Sequence, residues 1–377
     1  MEEELKDFKS FGQAHQIKVW RLKLNKATNE EIEAKWIQHF DGNLANLPNL
    51  GLGELSQEFF KKLGRDWGNI GEDDAVNGAM MANPDDIVYS KLTKTAILHD
   101  IPKSGEALLK NMRSATSSVA AVVLASKMKQ FECGEIGNLK DDLERHFKKP
   151  YCGTDGELPR LARGTAFLIK PDLLLTAAHN LAKNGEWIKD EELVYVFGFI
   201  HDASGQLPKA ENLTVVTGKK IRYDDDMEYD DDWMLVRLDR PVQFGVLKLS
   251  NRSQEPAAHP PECTALYSIG YPLGTPLKVA MIGEYVNRRD EKIFTTDLDV
   301  FKGNSGSPII NLGTNLVEGI LTSGFPDFFE NSDGCLEIKN YSEDEVVEGF
   351  AGEHCQAVSS MRSKIERLIC PEILPRI

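Results

Sequence analysis

No stretch of this chain approaches the roughly 18–20 consecutive apolar residues that a membrane-crossing helix needs, so a spanning segment is not expected. The first twenty residues, MEEELKDFKSFGQAHQIKVW, carry neither a basic start nor an apolar stretch behind it, and a secretion leader is not expected either. Cysteine is sparse. The six (Cys133, Cys152, Cys263, Cys335, Cys355 and Cys370) form no CxxC pair and show no zinc-ligand spacing. In a long chain without a leader they read as reduced thiols of a cytoplasmic protein, and whether Cys335 and Cys355 meet is left open. Positive charge is in deficit: 44 Lys and Arg stand against 59 Asp and Glu, a formal net charge of -15. That balance excludes a general electrostatic attraction to nucleic acid or to an anionic membrane. Internal repeats are also missing, and the nearest approach to low complexity is the acidic run from Tyr223 to Asp232.

What is present is a chain of 377 residues, 41% of them hydrophobic, enough for one large domain and a smaller one. Residues 1–110 read as a helical N-terminal region. Thr28 to Glu31 fits a capping box, Ile32, Trp36, Ile37 and Phe40 recur at helical spacing, and Leu52–Leu63 is a second candidate helix. The aromatics there read as the core of a small helical unit, whose role would be regulation or the binding of a partner. Residues 111–377 change texture. Short apolar runs such as Ser118–Ala125, Gly164–Lys170, Trp233–Leu238, Pro308–Asn311 and Val317–Ser323 alternate with Gly, Pro and Asp. This pattern predicts a mainly β domain, a sandwich or a barrel. A last helix is expected over Gln356–Ile369, with Val358, Met361, Ile365 and Leu368 on one face.

Three segments carry chemistry. Thr176-Ala177-Ala178-His179 ends an apolar strand, Asp232 opens the run Trp233 to Leu238, and Gly303-Asn304-Ser305-Gly306-Ser307-Pro308 has the composition of a tight loop. A serine hydroxyl is a poor nucleophile at neutral pH and needs a base to take its proton. His179 suits that role, then that of the acid which protonates a leaving amine. A carboxylate at Asp232 would hold the imidazole in one tautomer and stabilise its cation; Asp231 and Asp230 are the alternatives within the run. The glycines around Ser305 let the Gly303 and Ser305 N–H groups converge on one developing oxyanion. Taken singly, TAAH could be an ordinary strand end, GNSGSP a turn and Asp232 one more solvated acid. Their joint occurrence in the order His, Asp, Ser favours the catalytic reading.

TAAH, DWMLVRL and GNSGSP resemble the trypsin/chymotrypsin-like serine peptidases, over roughly residues 115–370. The Gly270-Tyr271-Pro272-Leu273-Gly274 segment and the Asn before the serine are similar to the bacterial glutamyl-endopeptidase-like branch. The resemblance implies a chymotrypsin-like double β-barrel with a C-terminal helix, and a serine endopeptidase working through an acyl-enzyme without cofactor or metal. Its partners would be peptide or protein substrates. Asn304 has no charge to pair with a freed N-terminal amine, so activation through that ion pair is not expected. Asp299, six residues before Ser305, resembles the base of the trypsin specificity pocket and implies cleavage after Arg or Lys; a hydrogen bond to its own loop is the plainer reading. Thr322, Ser323 and Gly324 resemble the segment that pairs with the substrate backbone. The acidic run reads as a solvated loop rather than a Ca²⁺ site. A catalytically silent binding protein on the same fold is the alternative in another class. A regulated effector of bacterial signalling or defence is a further reading of the biological context.

Overall fold

The computed structural model of the protein describes residues 81–82, 111–112, 114–153, 156–201, 206–221, 231–251, 264–298, 300–311, 314–339 and 352–369. The expected helices at 28–40 and 52–63, and most of the acidic run, lie outside these residues. In chain order, Met81–Ala82 (β1) and Val119–Leu124 (β2) precede two helices, Ala125–Glu132 (α1) and Leu139–Phe147 (α2). Gly164–Lys170 (β3) and Leu173–Thr176 (β4) follow, then a small hairpin of Ala182–Lys183 (β5) and Glu186–Trp187 (β6). Leu193–Phe197 (β7), Thr214–Val216 (β8), Gly218–Ile221 (β9) and Met234–Leu238 (β10) complete the first half. The second half contains Lys248–Leu249 (β11), Ala265–Gly270 (β12), Lys278–Arg288 (β13), Ile293–Thr296 (β14), Pro308–Asn311 (β15) and Leu316–Ser323 (β16). A hairpin of Phe328–Glu330 (β17) and Leu336–Ile338 (β18), the strand Glu353–Ala357 (β19) and the helix Val358–Ile369 (α3) end it.

The strands form two barrels. The first sheet runs β8-β7-β2-β3-β4-β10-β9, and only Thr217 separates β8 from β9, so the chain itself joins one edge of the sheet to the other. The second runs β13-β12-β15-β16-β19-β14, and β14 pairs back onto β13 to close a ring; β1 adds to β13 and β11 to β16. Closure of this kind removes exposed edges. Side-chain alternation then divides the apolar residues among three cores. Ala120, Val122, Leu174, Met234 and Val236 fill the first barrel. Leu266, Phe294, Ile309, Leu321 and Cys355 fill the second. The opposite faces of the same strands, with Val119, Phe167, Leu175 and Leu235 from one side and Tyr267, Tyr271 and Ile310 from the other, pack with α3 between the barrels. This explains why β2 and β3 read as near-continuous apolar runs rather than alternating ones. The fold is mainly β, a chymotrypsin-like double barrel with a C-terminal helix.

Three details differ from the sequence reading. The β-rich stretch contains two helices, and α2 has an ordinary start signal: Asn138 Oδ1 accepts from the Asp141 amide at 2.8 Å. The last helix begins at Val358 rather than Gln356, because residues 353–357 are drawn into a strand between β16 and β14. The cysteines are not all reduced. Cys152 and Cys335 form a disulfide with a Cα–Cα separation of 5.8 Å, across 183 residues. Cys133 and Cys355 are free thiols, the latter buried. Among the described residues no helix is long and apolar enough to cross a membrane.

Candidate active site

Pairing of β4 with β10 sets the first half of the site. Met234 lies opposite Thr176, so the residues just before β10 and those just after β4 emerge at the same end of the antiparallel pair. There the chain makes a 3-10 turn over Ala178–Leu181 that carries His179. Asp232 grips this turn twice: Oδ1 accepts from the His179 amide at 2.9 Å, and Oδ2 meets Nδ1 at 2.6 Å. A carboxylate can only accept, so Nδ1 carries the proton and Nε2 is left as the basic nitrogen. The imidazole is 48% exposed and the carboxylate 28%. The neighbouring acid points elsewhere. Asp231 is 3.1 Å from Lys292 Nζ, is paired with Lys364, and accepts from Gln356 Nε2 at 3.2 Å. Burial alone would raise its pKa, but the two lysines outweigh it and hold the carboxyl below the usual range.

The serine loop comes from the second barrel and is held by the first. Ser305 O accepts from the Thr165 amide at 2.9 Å and from Asn180 Nδ2 at 2.6 Å. Asn180 is buried and directly follows His179, so the same turn presents the imidazole outward and fastens the serine backbone inward. Thr165 ties the loop further: its Oγ1 donates to Gly303 O at 3.0 Å and accepts from the Tyr271 amide at 3.1 Å. Gly303 and Gly306 have φ of 98° and 84°, the left-handed region that disfavours a side chain. A Cβ at Gly303 would lie 2.6 Å from Tyr271 O, and one at Gly306 would lie 2.1 Å from Thr165 O. The Asn304 amide donates to Phe301 O at 2.9 Å and that of Gly306 to Leu321 O at 2.7 Å. The Gly303 and Ser305 amides donate to no acceptor among the described residues.

Thr165 and Asn180 carry no role in the sequence reading. The available signal is that both are polar residues at fully apolar positions, one inside a strand and one inside a buried turn. Such residues stay there only when hydrogen-bonded.

The other expected residues are distributed as follows. Thr322 and Ser323 end β16, and Gly324 follows it. The Thr322 hydroxyl donates to His354 O at 3.1 Å, and Ser323 Oγ lies 3.3 Å from His354 Nδ1. Ser323 and Gly324 are exposed. A cavity of about 540 Å³ runs from Asp232 past Thr322 and Ser323 to Arg289 and His354. Arg289 contacts the His354 ring at 2.8 Å; burial first, and then this cation, lower the histidine's pKa. Asp299 lies outside the described residues. A different, half-buried acid borders the serine loop: Asp327 accepts from the Lys302 amide at 3.0 Å, and its partial burial pushes its pKa up to about 6 against the pull of Lys302.

With this geometry in hand, residues 164–320 match the family described as a trypsin-like peptidase domain. The matched span encloses His179, Asp232 and Ser305 and stops just short of Thr322. No curated protein matches the chain.

Proposed function

We propose that this trypsin-like peptidase domain is an active serine endopeptidase with Ser305 as nucleophile, His179 as general base and Asp232 as its orienting carboxylate. Ser305 Oγ attacks the scissile carbonyl carbon while its proton passes to His179 Nε2. The Gly303 and Ser305 N–H groups receive the oxyanion. Collapse breaks the C–N bond, His179 returns the proton to the leaving amine, and an ester to Ser305 remains. Water activated by the same imidazole then releases the acid and restores the serine. The observation that carries the reading is the double grip of Asp232 on His179, on a turn whose next residue holds the Ser305 carbonyl. The two undonated loop amides support the oxyanion assignment. Asn304 and the GYPLG segment are the grounds for placing the domain near the glutamyl-endopeptidase-like branch.

The finer assignments belong to the same proposal. Thr322 to Gly324 would pair with an extended peptide, and the residue before the scissile bond would be Arg or Lys. Residues 1–110 would regulate access or bind a partner, as suits an effector released on a signal. The disulfide removes the argument for a cytoplasmic location that rested on reduced thiols.

A fluorophosphonate probe tests the nucleophile directly. Wild type should be labelled at Ser305, and Ser305→Ala should not; His179→Ala should slow labelling by orders of magnitude. Labelling unaffected by Ser305→Ala would overturn the assignment. A peptide library read by mass spectrometry would then give the specificity, and deletion of residues 1–110 would separate an inhibitory segment from a targeting one.

A further inference from the structure

One residue of the second barrel holds a backbone conformation that its side chain disfavours. Leu273, buried in the turn over 270–274, has φ of 53° and ψ of 16°, the small left-handed region where a Cβ crowds the following carbonyl. The chain on both sides is fixed. Pro272 sets the entry, and the Gly274 amide donates to Tyr271 O at 3.0 Å. Gly274 O accepts from the Leu161 and Ala162 amides at 2.9 and 3.0 Å. The Leu273 side chain belongs to the same core as Leu139 and Leu143 of α2 and Phe301 beside the serine loop. Packing thus keeps a leucine where a glycine would sit without strain.

In this conformation the Leu273 amide meets the serine loop, donating to Lys302 O at 2.5 Å. Lys302 O and the Gly303 N–H belong to one planar, trans peptide and point in opposite directions. With the carbonyl bound to Leu273, the N–H faces away from the 270–274 turn and donates to no acceptor among the described residues. The backbone on either side is pinned separately: the Lys302 amide donates to Asp327 Oδ2 at 3.0 Å, and Gly303 O accepts from Thr165 Oγ1 at 3.0 Å. The plane between them can still rotate, through ψ of Lys302 and φ of Gly303. A glycine at φ of 98° can take a negative φ about as readily. The peptide therefore has two orientations, and in the other one a carbonyl oxygen stands where the N–H now donates.

We infer that Leu273 is a positioning residue, whose amide latches the Lys302–Gly303 peptide in the orientation that aims the Gly303 N–H at the oxyanion. The inference rests on the proposed attack by Ser305 and on the use of that N–H in it. A flipped peptide would remove a donor and also set a carbonyl lone pair against the developing negative charge, so the latch acts on the transition state. The left-handed backbone is what holds the latch closed. Gly274 is pinned beyond it, so relaxing φ of Leu273 has to swing the preceding peptide, and the Leu273 N–H moves off Lys302 O.

The test compares Leu273→Gly, Leu273→Val and Leu273→Ala in the full chain by the rate constant of fluorophosphonate labelling, because the phosphoryl oxygen takes the same N–H donors when Ser305 attacks. Rate constants are compared and amplitudes are not, so a misfolded fraction drops out. Glycine enters the left-handed region freely, and Leu273→Gly should label at close to the wild-type rate despite its lost packing. Valine is β-branched and disfavoured there, so Leu273→Val should label about 10²–10³-fold more slowly, the loss that follows removal of one oxyanion donor. Leu273→Ala loses nearly the packing that glycine loses but keeps a Cβ, so it should be slower than Leu273→Gly; this pair decides the matter if the valine variant does not fold. Core packing alone gives the opposite order, with valine nearest to wild type. That order, or equal rates for alanine and glycine, in a protein whose wild type labels would overturn the role of Leu273 and leave the peptidase reading intact. A wild type that does not label would overturn both.

Discussion

Removal of the Cys152–Cys335 disulfide should lower stability by about 3 kcal/mol. The bridge spans 183 residues, and the chain-entropy relation for a loop of that size gives a ceiling of about 5 kcal/mol at 25 °C. The full ceiling is not expected, because the two partners are already joined by other contacts. The Cys152 amide donates to Leu336 O at 3.1 Å and the Leu336 amide to Pro150 O at 2.8 Å. Phe328 of β17 meets both Tyr151 and Phe147, with ring centroids 6.0 and 5.9 Å apart. The exposed pair of Lys149 and Glu330 adds little. These contacts dock the segment after α2 onto the β17–β18 hairpin, and part of that docking can persist in the denatured ensemble, which shrinks the entropic gain. The assay is guanidinium unfolding of oxidised protein, of protein reduced with a phosphine, and of a Cys152→Ala/Cys335→Ala variant. Reduced protein and variant should share a lowered midpoint, and the variant should be insensitive to reductant. A loss below about 1 kcal/mol, or a variant that still responds to reductant, would refute the reasoning.

Asp232→Asn should lower kcat by about 10⁴, the loss known for the matching change in the chymotrypsin template, whereas Asp231→Asn should leave kcat within a few-fold and cost about 1–3 kcal/mol of stability by removing the charge that Lys292 and Lys364 both contact; steady-state kinetics and thermal melts of both variants check this, and reversed effects would transfer the orienting role to Asp231. Asn180→Ala should reduce kcat more than it changes KM, since Ser305 O keeps the Thr165 amide but loses its tie to the histidine turn; an unchanged kcat would show that the tie does not position the serine. Asp327 has a folded pKa of about 6 against 3.8 for the free group, so between those values the folded state binds more protons than the unfolded one, and stability falls as pH rises. This acid should remove about 2 kcal/mol between pH 4 and pH 6, and chemical denaturation should find that increment missing in Asp327→Asn.

Much of the scaffold was legible because burial on both faces leaves a direct trace in composition. Gly164–Lys170 and Pro308–Asn311 were read with the bounds that the strands have, since apolar, β-branched runs flanked by turn formers admit few other readings. The strand at 353–357 was not legible, and its reason is tertiary. Glu-His-Cys-Gln-Ala has little intrinsic β preference, but β16 and β14 each present an open edge to it. The disulfide was hidden for a similar reason: nothing local connects two cysteines 183 residues apart, and only the docking of the segment after α2 on a distant hairpin brings them together.

The choice among the acids of 230–232 was open in the sequence, yet strand periodicity could have narrowed it. Met234 and Val236 face the interior of the first barrel, while Trp233 and Leu235 face the core between the barrels. Carried back along the extended chain, that alternation gives Asp232 the parity of the first-barrel set and Asp231 that of the other. His179 belongs to the first barrel through β4, whereas Lys292 and Lys364 belong to the second barrel and α3. The side chains follow that division. One-residue alternation therefore assigns adjacent, chemically identical aspartates to two different tasks, an orienting hydrogen bond to the histidine and an ion pair that ties β10 to the other half of the molecule. Insertion of one alanine between Asp232 and Trp233 should put the alanine in the slot that faces His179 and turn Asp232 the other way, so it should abolish activity even though the aspartates still precede the strand.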